Sequence, residues 1–318
     1  MPTLLLDRNA VKHLISMPDV ISLVEEAFRL WAEGKAAMPP KAYLPVARGD
    51  FRAMPAALPG CAGIKWVSVH PGNPSRNLPS VMAVIIYNDP ETGYPMAVME
   101  ATIITAYRTG AASAIASKYL ARQDSHTLGI IGAGSQAYTQ ILAHAGLFKL
   151  RAINVFDISK SAVDKLIEAF PGLSLRHCAI QEAAASDIVC TLTPSRSPIV
   201  KKEWIAPGTH INAVGADAAG KEELDPSILK TATVVVDDLR QASTGGEINV
   251  PVKQGIYTLG EVYGTLPEIV VGRKKGRVDN RQVTVFDSTG VAIEDIAVAR
   301  SIFDKAQRKG GYPSIELV

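Results

Sequence analysis

The sequence predicts an α/β protein that combines a doubly wound parallel sheet with a second, β-rich α+β domain. From residue 127 onward, strand and helix patterns alternate, which is typical of a parallel sheet with helices on both faces. Before that point, five strand patterns follow one another with only turn residues between them, which is typical of an antiparallel or mixed sheet. The length of 318 residues suits two domains of about 150 residues each.

Apolar spacing and capping residues define the elements of the first part of the chain. A short strand at 4–6 precedes a helix over 8–15. A second helix begins after Ser16, because residues 16–19 have the composition of a capped helix start, and it ends at Gly34. Strands are then predicted at 41–46, 51–57, 63–69, 81–87 and 95–99. A long helix rich in small residues follows over 101–122.

The second part alternates between the two element types. Strands are predicted at 128–131, 153–157, 174–177, 187–192, 209–214, 233–236 and 283–286. The last helix, over 291–309, is amphipathic, and we expect it to return to the first domain. We therefore place one domain at 1–122 and 300–318 and a doubly wound domain at 123–299.

The stretch over 127–137 has the pattern of a dinucleotide-binding turn. An apolar run stops at Gly132, and small residues follow at the spacing G-x-G-x-x-A. Gly132 allows the sharp turn, Gly134 lets backbone N–H groups approach a pyrophosphate, and Ala137 lets the helix pack closely on the strand. The helix N-terminus favours phosphate. We predict cofactor contacts from Gly132, Gly134, Ser135, Gln136 and Ala137, and hence a Rossmann domain.

Asp157 supplies the second half of the same fingerprint. It ends the next predicted strand, slightly farther along the chain than the roughly 20 residues that are typical. A carboxylate there accepts hydrogen bonds from the ribose hydroxyls and repels a 2′-phosphate. Because no arginine follows at 158–159, we predict NAD rather than NADP. An ordinary surface Asp after a strand is the alternative interpretation.

Four charges stand alone in apolar or small-residue surroundings: Arg52, Lys65, Arg108 and Asp217. Burying an unpaired charge costs several kcal/mol, and three cations cannot all pair with one anion. A small carboxylate ligand held by Arg52, Lys65 and Arg108 would balance the charges, since arginine matches a carboxylate with two parallel hydrogen bonds. Alternatively, Lys65 reaches solvent at a sheet edge, and Arg108 caps a helix or bridges a subunit contact.

Polar residues also follow several predicted strands, where open α/β sheets bind ligands. Asp217, in a glycine-flanked loop, could exchange a proton with a substrate amine or imine, although a turn or helix-cap role is the alternative. Hydroxyls in Thr193-Pro194-Ser195 and in Ser288-Thr289-Gly290 could bond ribose or phosphate, or could simply cap helices.

Composition excludes several classes. The formal net charge of +2, without a long Lys/Arg run, argues against a nucleic-acid partner. Three widely spaced cysteines indicate a reducing compartment, and neither they nor the histidines have metal-ligand spacing, so we predict no metal. Because no signal peptide or membrane-spanning run is present, we expect a cytoplasmic protein with no membrane partner.

Taken together, the motifs resemble those of the ornithine cyclodeaminase/μ-crystallin family and, within it, most of all the archaeal-type alanine dehydrogenases. The resemblance covers essentially the whole chain. It is carried by Met38-Pro39-Pro40-Lys41, Arg52-Ala53-Met54-Pro55-Ala56, Lys65-Trp66-Val67, His70-Pro71-Gly72-Asn73-Pro74, Arg108-Thr109-Gly110-Ala111-Ala112, the turn at 132–137, Gly215-Ala216-Asp217, Gly245-Gly246-Glu247 and Phe286-Asp287-Ser288-Thr289-Gly290.

The resemblance implies a homodimer joined through its β-rich substrate domains, with bound NAD and an amino acid or 2-keto acid substrate. It places the substrate carboxylate on Arg52, Lys65 and Arg108, and proton transfer on Asp217, with Lys65 also polarising the carbonyl oxygen in the reverse reaction. Further cofactor contacts are implied for Arg108, Thr109, Thr193, Pro194, Ser195, Val214, Gly215, Asp217, Ser288, Thr289 and Gly290.

The function predicted first is alanine dehydrogenase, which converts L-alanine, NAD and water to pyruvate, ammonia and NADH. No residue type in the small-residue motifs suggests a partner for a second substrate amine, which favours a small side chain. Two alternatives stay open. An ornithine cyclodeaminase would convert L-ornithine to L-proline and ammonia and recycle its NAD. A μ-crystallin-like protein would bind a nucleotide or another small ligand without turnover.

Overall fold

A computed structural model describes residues 2–317 as two compact units. One unit contains the described residues up to Arg108 and those from Val291 on, and the other is Thr109–Gly290. The predicted domain boundaries lay instead at 122/123 and 299/300. In the structure the first boundary, between Arg108 and Thr109, falls inside the continuous helix Thr102–Leu120. Because no turn residue marks this point, the sequence pattern placed the boundary at the end of the helix.

The predicted elements occur in the predicted order, and their bounds are close to those expected from the sequence. The strands are β1 (Thr3–Leu6), β2 (Ala42–Val46), β3 (Gly49–Leu58), β4 (Cys61–Val69), β5 (Val81–Asn88), β6 (Pro95–Glu100), β7 (Thr127–Ile131), β8 (Ala152–Phe156), β9 (Leu175–His177), β10 (Ile188–Thr191), β11 (Arg196–Val200), β12 (His210–Ala213), β13 (Glu222–Leu224), β14 (Thr233–Val236), β15 (Gly264–Thr265), β16 (Thr284–Asp287) and β17 (Ser314–Ile315). The helices are α1 (Arg8–Leu14), α2 (Met17–Ala32), α3 (Thr102–Leu120), α4 (Ala137–Leu147), α5 (Lys160–Glu168), α6 (Ile180–Ala184), α7 (Pro226–Leu229), α8 (Leu239–Gly245), α9 (Asn249–Lys253), α10 (Leu266–Val270) and α11 (Ala292–Lys309).

The first unit is built on a mixed sheet in the order β17-β1-β6-β5-β4-β3-β2. Neighbouring strands are antiparallel except for the parallel pair of β1 and β6, so the predicted mixed sheet is confirmed. In β3, Met54, Ala56 and Leu58 are buried at alternate positions, as expected for a strand with one covered face. The last helix, α11, packs on β3, β4 and β5, as its amphipathic pattern predicted.

The second unit contains a parallel sheet in the order β15-β14-β16-β12-β10-β7-β8-β9. All of its strand pairs are parallel, and its central strands β7, β10, β12, β14 and β16 are buried along almost their whole length, as expected for a sheet covered on both faces. The predicted doubly wound Rossmann sheet is thus confirmed. The chain reverses its winding direction between β7 and β10, and in such sheets ligands bind at this switch point, beyond the carboxyl ends of the strands.

Short, polar elements of the second unit were not predicted. β11 and β13 form a separate parallel pair. Both are short and carry charged residues, so neither has the apolar alternation by which a strand is recognised in a sequence. The omission matters because β13 contains Glu223, which bonds two loops at the switch point.

Two observations concern the predictions about membranes, cysteines and metals. Within residues 2–317, no helix combines the length and the apolar character that a membrane span requires. Cys61, Cys178 and Cys190 are free thiols, and the described residues contain no cluster of His, Cys, Asp and Glu that could hold a metal ion.

Candidate active site

Two of the predicted substrate residues lie on one buried face of the first unit's sheet. In the β3–β4 register, Arg52 is opposite Val67 and Met54 is opposite Lys65. Because side chains alternate along a strand, Arg52 and Lys65 occupy neighbouring rows of the same face. Arg52 is 5% exposed and Lys65 is 0% exposed, so both charges are withdrawn from water.

Lys65 and Arg108 share one carboxylate. The Lys65 Nζ lies 2.6 Å from Oδ2 of Asp295, and the Arg108 Nε lies 3.1 Å from Oδ1 of the same residue. The Arg108 Nη1 also lies 2.8 Å from Oε2 of Glu294. Both acids are fully buried in the first turn of α11, where the helix dipole favours negative charge. Four buried charges from three elements thus form one network.

Burial and neighbouring charges set the ionisation of this network. Burial lowers the pKa of Lys65 to about 7, the Arg108 charge lowers it too, and Asp295 raises it. Lys41 also lowers it, so a further cation, which the sequence reasoning missed, lies close to this site. For Arg108, the lowering of the pKa by burial is outweighed by Asp295 and Glu294, and its pKa is raised.

Arg52 has partners of its own. Its Nε donates to Oδ1 of Asp50 over 2.7 Å, and its guanidinium lies 5.2 Å from the ring centroid of Tyr43. The inference that these cations lack anionic partners within the chain is therefore wrong. It treated neighbours along the sequence as if they were neighbours in space, whereas Asp295 lies 230 residues from Lys65. Charge balance alone does not demand a ligand.

The glycine-rich turn of the second unit has the shape that a dinucleotide requires. Gly132 has φ +105°, and a Cβ there would lie 3.0 Å from the Thr193 side chain and 3.1 Å from the Leu192 backbone, so glycine is needed. At Gly134 an added Cβ would meet nothing within 4 Å, which leaves open space before the backbone. Ala137 is fully buried at the start of α4. A cleft of about 480 Å³ borders the turn near Ser135.

Asp157 lies beside this turn, just after β8. Its Oδ2 accepts the Ala133 N–H over 2.7 Å, and its Oδ1 accepts the Ser159 N–H over 2.7 Å. The carboxylate therefore links the glycine-rich turn to the loop that follows β8. This is the position at which Rossmann domains place the acid that contacts the adenosine ribose.

Glu223 joins two loops at the switch point. Its Oε1 accepts the Thr193 N–H over 2.7 Å and the Thr193 hydroxyl over 2.8 Å, and its Oε2 accepts the Gly215 N–H over 2.9 Å. These loops follow β10 and β12. The backbones approach so closely that a Cβ on Gly215 would lie 2.2 Å from the Thr193 carbonyl oxygen. Glu223 thus holds two predicted cofactor loops in one arrangement.

Glu223 belongs to a buried group of acids that bond backbone amides. Glu247 Oε1 accepts the N–H groups of Glu223 and Leu224, and Asp287 accepts those of Glu247 and Ile248. Burial raises the pKa of Glu223 to about 6. Burial and the Glu223 charge raise the pKa of Glu247 well above its usual value. The motifs at 245–247 and 286–290 contained the sequence signals for Glu247 and Asp287, and Glu223 had none.

Asp217, one of the predicted site acids, is partly accessible to water. It follows Gly215 in the loop after β12, its side chain is 30% exposed, and its Oδ1 pairs with the Lys221 ammonium. An acid with access to water and an ammonium partner can exchange protons, which a fully buried acid cannot do readily. Its place at the carboxyl end of a central strand agrees with the prediction from the sequence.

The remaining predicted cofactor residues lie at strand ends or in α3. The Asp237 carboxylate accepts the Thr289 hydroxyl and the backbone N–H groups of Thr289 and Gly290, and the Ser288 N–H donates to the Ala213 carbonyl. These contacts order the loop after β16. Local hydrogen bonds are also made at the other positions. The Val214 N–H donates to the Thr191 carbonyl, and the Ser195 hydroxyl, next to Pro194, donates to the Ser197 carbonyl. The Thr109 carbonyl accepts from the Ser113 hydroxyl, and the Gln136 carbonyl accepts from the Thr139 hydroxyl.

Comparison with known proteins identifies the family. The model of the ornithine cyclodeaminase/mu-crystallin family matches residues 1–310. The chain belongs to this family. An alanine dehydrogenase of Archaeoglobus fulgidus is 51% identical over 311 residues and is covered to 97%, as is this chain. An ornithine cyclodeaminase of Brucella abortus is 33% identical over 308 residues, with 95% of this chain and 84% of the relative covered.

Solved structures of family members have the same fold. An archaeal alanine dehydrogenase dimer with bound NAD has a TM-score of 0.98 at 50% identity, and both chains are covered completely. The Δ1-pyrroline-2-carboxylate reductase of Thermococcus litoralis, in complex with NADH and L-proline, has a TM-score of 0.96 at 40% identity, with 98% of this chain and 100% of that chain covered. Family membership therefore holds for both units.

Proposed function

We propose that this protein is an NAD-dependent alanine dehydrogenase, which converts L-alanine, NAD and water to pyruvate, ammonia and NADH, or runs the reverse reductive amination. The observation that carries the proposal is the 51% identity to the Archaeoglobus fulgidus enzyme over nearly the whole of both chains. The network of Lys65 on β4 and Arg108 on α3 supports it, because buried cations suit a small carboxylate substrate.

The second unit would bind the cofactor. NAD, when bound, supplies the acceptor for the hydrogen removed from the substrate carbon. The turn from Gly132 to Ala137 would hold the pyrophosphate with its backbone N–H groups, and Asp157 would accept the ribose hydroxyls and disfavour a 2′-phosphate. Thr193, Gly215 and the Ser288–Gly290 loop would line the nicotinamide half, held in place by Glu223 and Asp237.

The first unit would bind the substrate. Four cations are associated with its site, namely Lys41, Arg52, Lys65 and Arg108, and three acids contact them, namely Asp50, Glu294 and Asp295. Buried and partly buried cations of this kind suit a substrate with a carboxylate, and L-alanine and pyruvate fit this description.

Asp217 would carry the protons. The substrate amine must be neutral before its carbon is oxidised, and Asp217 would accept that proton on its carboxylate. After it releases that proton to solvent, which its 30% exposed side chain reaches, the carboxylate would take a proton from the water that adds to the imine carbon. Lys65 would polarise the carbonyl oxygen in the reverse direction. Most of the acceleration would come from the positioning of the substrate and from charges matched to the reacting groups.

The test is a screen of the purified protein by absorbance at the NADH wavelength. NADH should accumulate with L-alanine and NAD, and should be consumed with ammonia and pyruvate faster than with larger 2-keto acids or cyclic imines. If the protein converts L-ornithine to L-proline with no net NADH, it is an ornithine cyclodeaminase, which the 33% identity to the Brucella abortus enzyme supports as second candidate. A protein that binds the nucleotide without any turnover would instead be a binding protein of the μ-crystallin type.

A homodimer is part of the proposal. Trp66, Val84 and Ile86 lie on neighbouring strands of the first unit and are 43%, 44% and 41% exposed, so they form an apolar sheet face that a second copy could cover. Sedimentation should give a dimer, and Trp66→Glu should shift it towards monomer. The cytoplasmic location stays a prediction from cysteine usage.

A further inference from the structure

The carboxylate of Asp295 contacts two of the cations that the proposed function assigns to the substrate. One oxygen accepts from the Lys65 ammonium at 2.6 Å, and the other accepts from the Arg108 Nε at 3.1 Å. Both oxygens are thus occupied by side chains from two different elements, β4 and α3. Asp295 itself is 0% exposed, so its carboxylate is withdrawn from bulk water.

We propose that Asp295 is a positioning residue that fixes the Lys65 ammonium and the Arg108 guanidinium at the spacing needed for the substrate carboxylate and favours the protonated form of Lys65. This inference rests on the proposed function for the role of the two cations. In this proposal Asp295 does not contact the substrate and acts only through Lys65 and Arg108.

The geometry makes Asp295 the link between the two cations. Lys65 and Arg108 carry like charges, which repel each other, and both are buried. The carboxylate is separated from Lys65 by 230 residues and from Arg108 by 187 residues, so only the docking of α11 on the sheet brings it between them. Its place in the first turn of α11 adds the favourable field of the helix N-terminus.

The charges around Lys65 indicate in which direction its pKa changes when Asp295 loses its charge. Arg108 on α3 and Lys41, which precedes β2, favour the neutral amine, as does burial, and Asp295 on α11 favours the ammonium. Arg52 lies on the same sheet face in the next row, bonded to Asp50. Besides Asp295, the charges that act on Lys65 are those of Arg108 and Lys41, and both are positive, while Asp50 and Glu294 bond the neighbouring arginines. When Asp295 is neutralised, the pKa of Lys65, about 7 in the intact network, should therefore fall further.

The primary test follows the protonation of Lys65 directly. The protein is labelled with 13C-lysine, the Cε signal of Lys65 is assigned with the variant Lys65→Arg, and its chemical shift is recorded against pH. In Asp295→Asn the titration midpoint should move down by about one to three pH units, the range typical for loss of an opposite charge at this distance. An unchanged or raised midpoint would overturn the proposal.

Glu294→Gln is the matched control. It changes the adjacent buried acid in the same helical turn, which contacts Arg108 at 2.8 Å, whereas the acid in contact with Lys65 is Asp295. It should leave the Lys65 midpoint closer to that of the wild type than Asp295→Asn does. If both variants moved the midpoint equally, the effect would be one of general packing, and the specific role of Asp295 would be refuted.

A second variant covers the case in which Asp295→Asn does not fold. Asp295→Glu retains the charge and moves it by one methylene, so the midpoint should stay near the wild-type value while pyruvate binding weakens. Pyruvate binding is read from the fluorescence of NADH bound to the enzyme without ammonia. Wild-type affinity in Asp295→Glu would contradict the positioning role.

The two levels of inference fail separately. If the wild-type protein neither oxidises L-alanine nor binds pyruvate, the proposed function fails, and the NMR titration still decides whether Asp295 controls Lys65. If the wild-type protein is active and the midpoint in Asp295→Asn is unchanged, only the inference about Asp295 fails.

Discussion

The two units bury carboxylates in opposite ways. In the first unit, Asp295 and Glu294 bond side-chain cations, Lys65 and Arg108, that come from other elements. In the second unit, Glu223 and its neighbours bond backbone N–H groups of loops at the strand ends. The partners of Asp295 and Glu294 are charged side chains. The partners of Glu223 and its neighbours are backbone N–H groups, and these hydrogen bonds fix the positions of the loops.

The difference shows two uses of a buried carboxylate, a group whose burial costs free energy. A buried acid that pairs with a cation sets the charge and the direction of that cation, which suits a site that must receive an anion. A buried acid that accepts backbone N–H groups ties loops together without offering a charge to a ligand. We infer that the first unit controls substrate binding and the second controls the shape of the cofactor site.

The largest effect is expected at Asp217, which differs from both buried groups in its access to water. Asp217→Asn should lower kcat for L-alanine by roughly 10²- to 10⁴-fold, because general acid–base catalysis is worth about that much. The Kd for NADH, measured by fluorescence titration, should change far less. Asp164→Asn, at an exposed pair on α5, is the control and should leave both values unchanged. Equal losses in kcat and NADH affinity would contradict proton transfer by Asp217.

The next largest effect is expected from breaking the charge network of the first unit. Arg108→Met should lower kcat/KM for L-alanine by roughly 30-fold to several thousand-fold, the equivalent of about 2–5 kcal/mol for a truncated buried charge pair. The Kd for NADH should change less than kcat/KM, because the acid partners of Arg108 lie in the first unit, although the resemblance assigns Arg108 a cofactor contact as well. Arg29→Met removes an exposed arginine that pairs with Glu26 and should have no measurable effect on kcat/KM. A variant with wild-type KM for L-alanine would exclude Arg108 from substrate binding.

A smaller effect is expected from the loop-bonding group. Glu223→Gln replaces one accepting oxygen by an NH2 group, so the carboxamide cannot accept from both Thr193 and Gly215. The Kd for NADH should rise by roughly 10-fold or more, since hydrogen bonds to charged groups are worth about 1.5–3 kcal/mol. Glu222→Gln, at the adjacent position of β13, is the control. Unchanged NADH affinity together with a lower Tm would reduce Glu223 to a purely structural role.

The smallest effect on activity is expected at Glu247, whose consequence is a pH dependence of stability. Its folded-state pKa lies well above the usual value, so above pH 4.5 the native state holds more protons than the unfolded state. Its contribution to stability is therefore present at low pH and is lost as pH rises towards the folded-state pKa.

Glu247→Gln cannot titrate and keeps an oxygen for the N–H groups of Glu223 and Leu224. From pH 5 to pH 8 its free energy of unfolding should therefore increase relative to the wild type, by at most about 1.4 kcal/mol per pH unit. Urea unfolding at both pH values measures this. Glu247→Ala, which lacks the acceptor, should be less stable than Glu247→Gln at both. A difference that does not vary with pH would show that Glu247 is ionised in the native state.

Most of the fold could be predicted because its signals are local. The alternation of strands and helices after residue 127 and the turn residues between β2 and β6 are read within short windows. Elements with short or polar sequences, such as β11 and β13, lack such signals. The division of α3 between the two units also left no trace in the sequence, because a helix continues without a break across it.

The candidate site was only partly predictable for a related reason. The glycine-rich turn and Asp157 follow a fixed spacing, and Arg52, Lys65 and Arg108 were noticed because each lies in apolar surroundings. Their acid partners were missed. Glu294 and Asp295 begin a helix near the end of the chain and look there like ordinary first-turn acids.

The sequence by itself determined the element types, the dinucleotide-binding turn and the residues that carry charge into the core, since each depends on backbone preferences and on spacing over a few residues. Only the tertiary structure decided which charges meet. The docking of α11 on the sheet brings Asp295 to Lys65 across 230 residues, and β13 brings Glu223 to the ends of β10 and β12. Such pairings depend on long-range packing, because electrostatic partners are chosen by distance in space and not by distance along the chain.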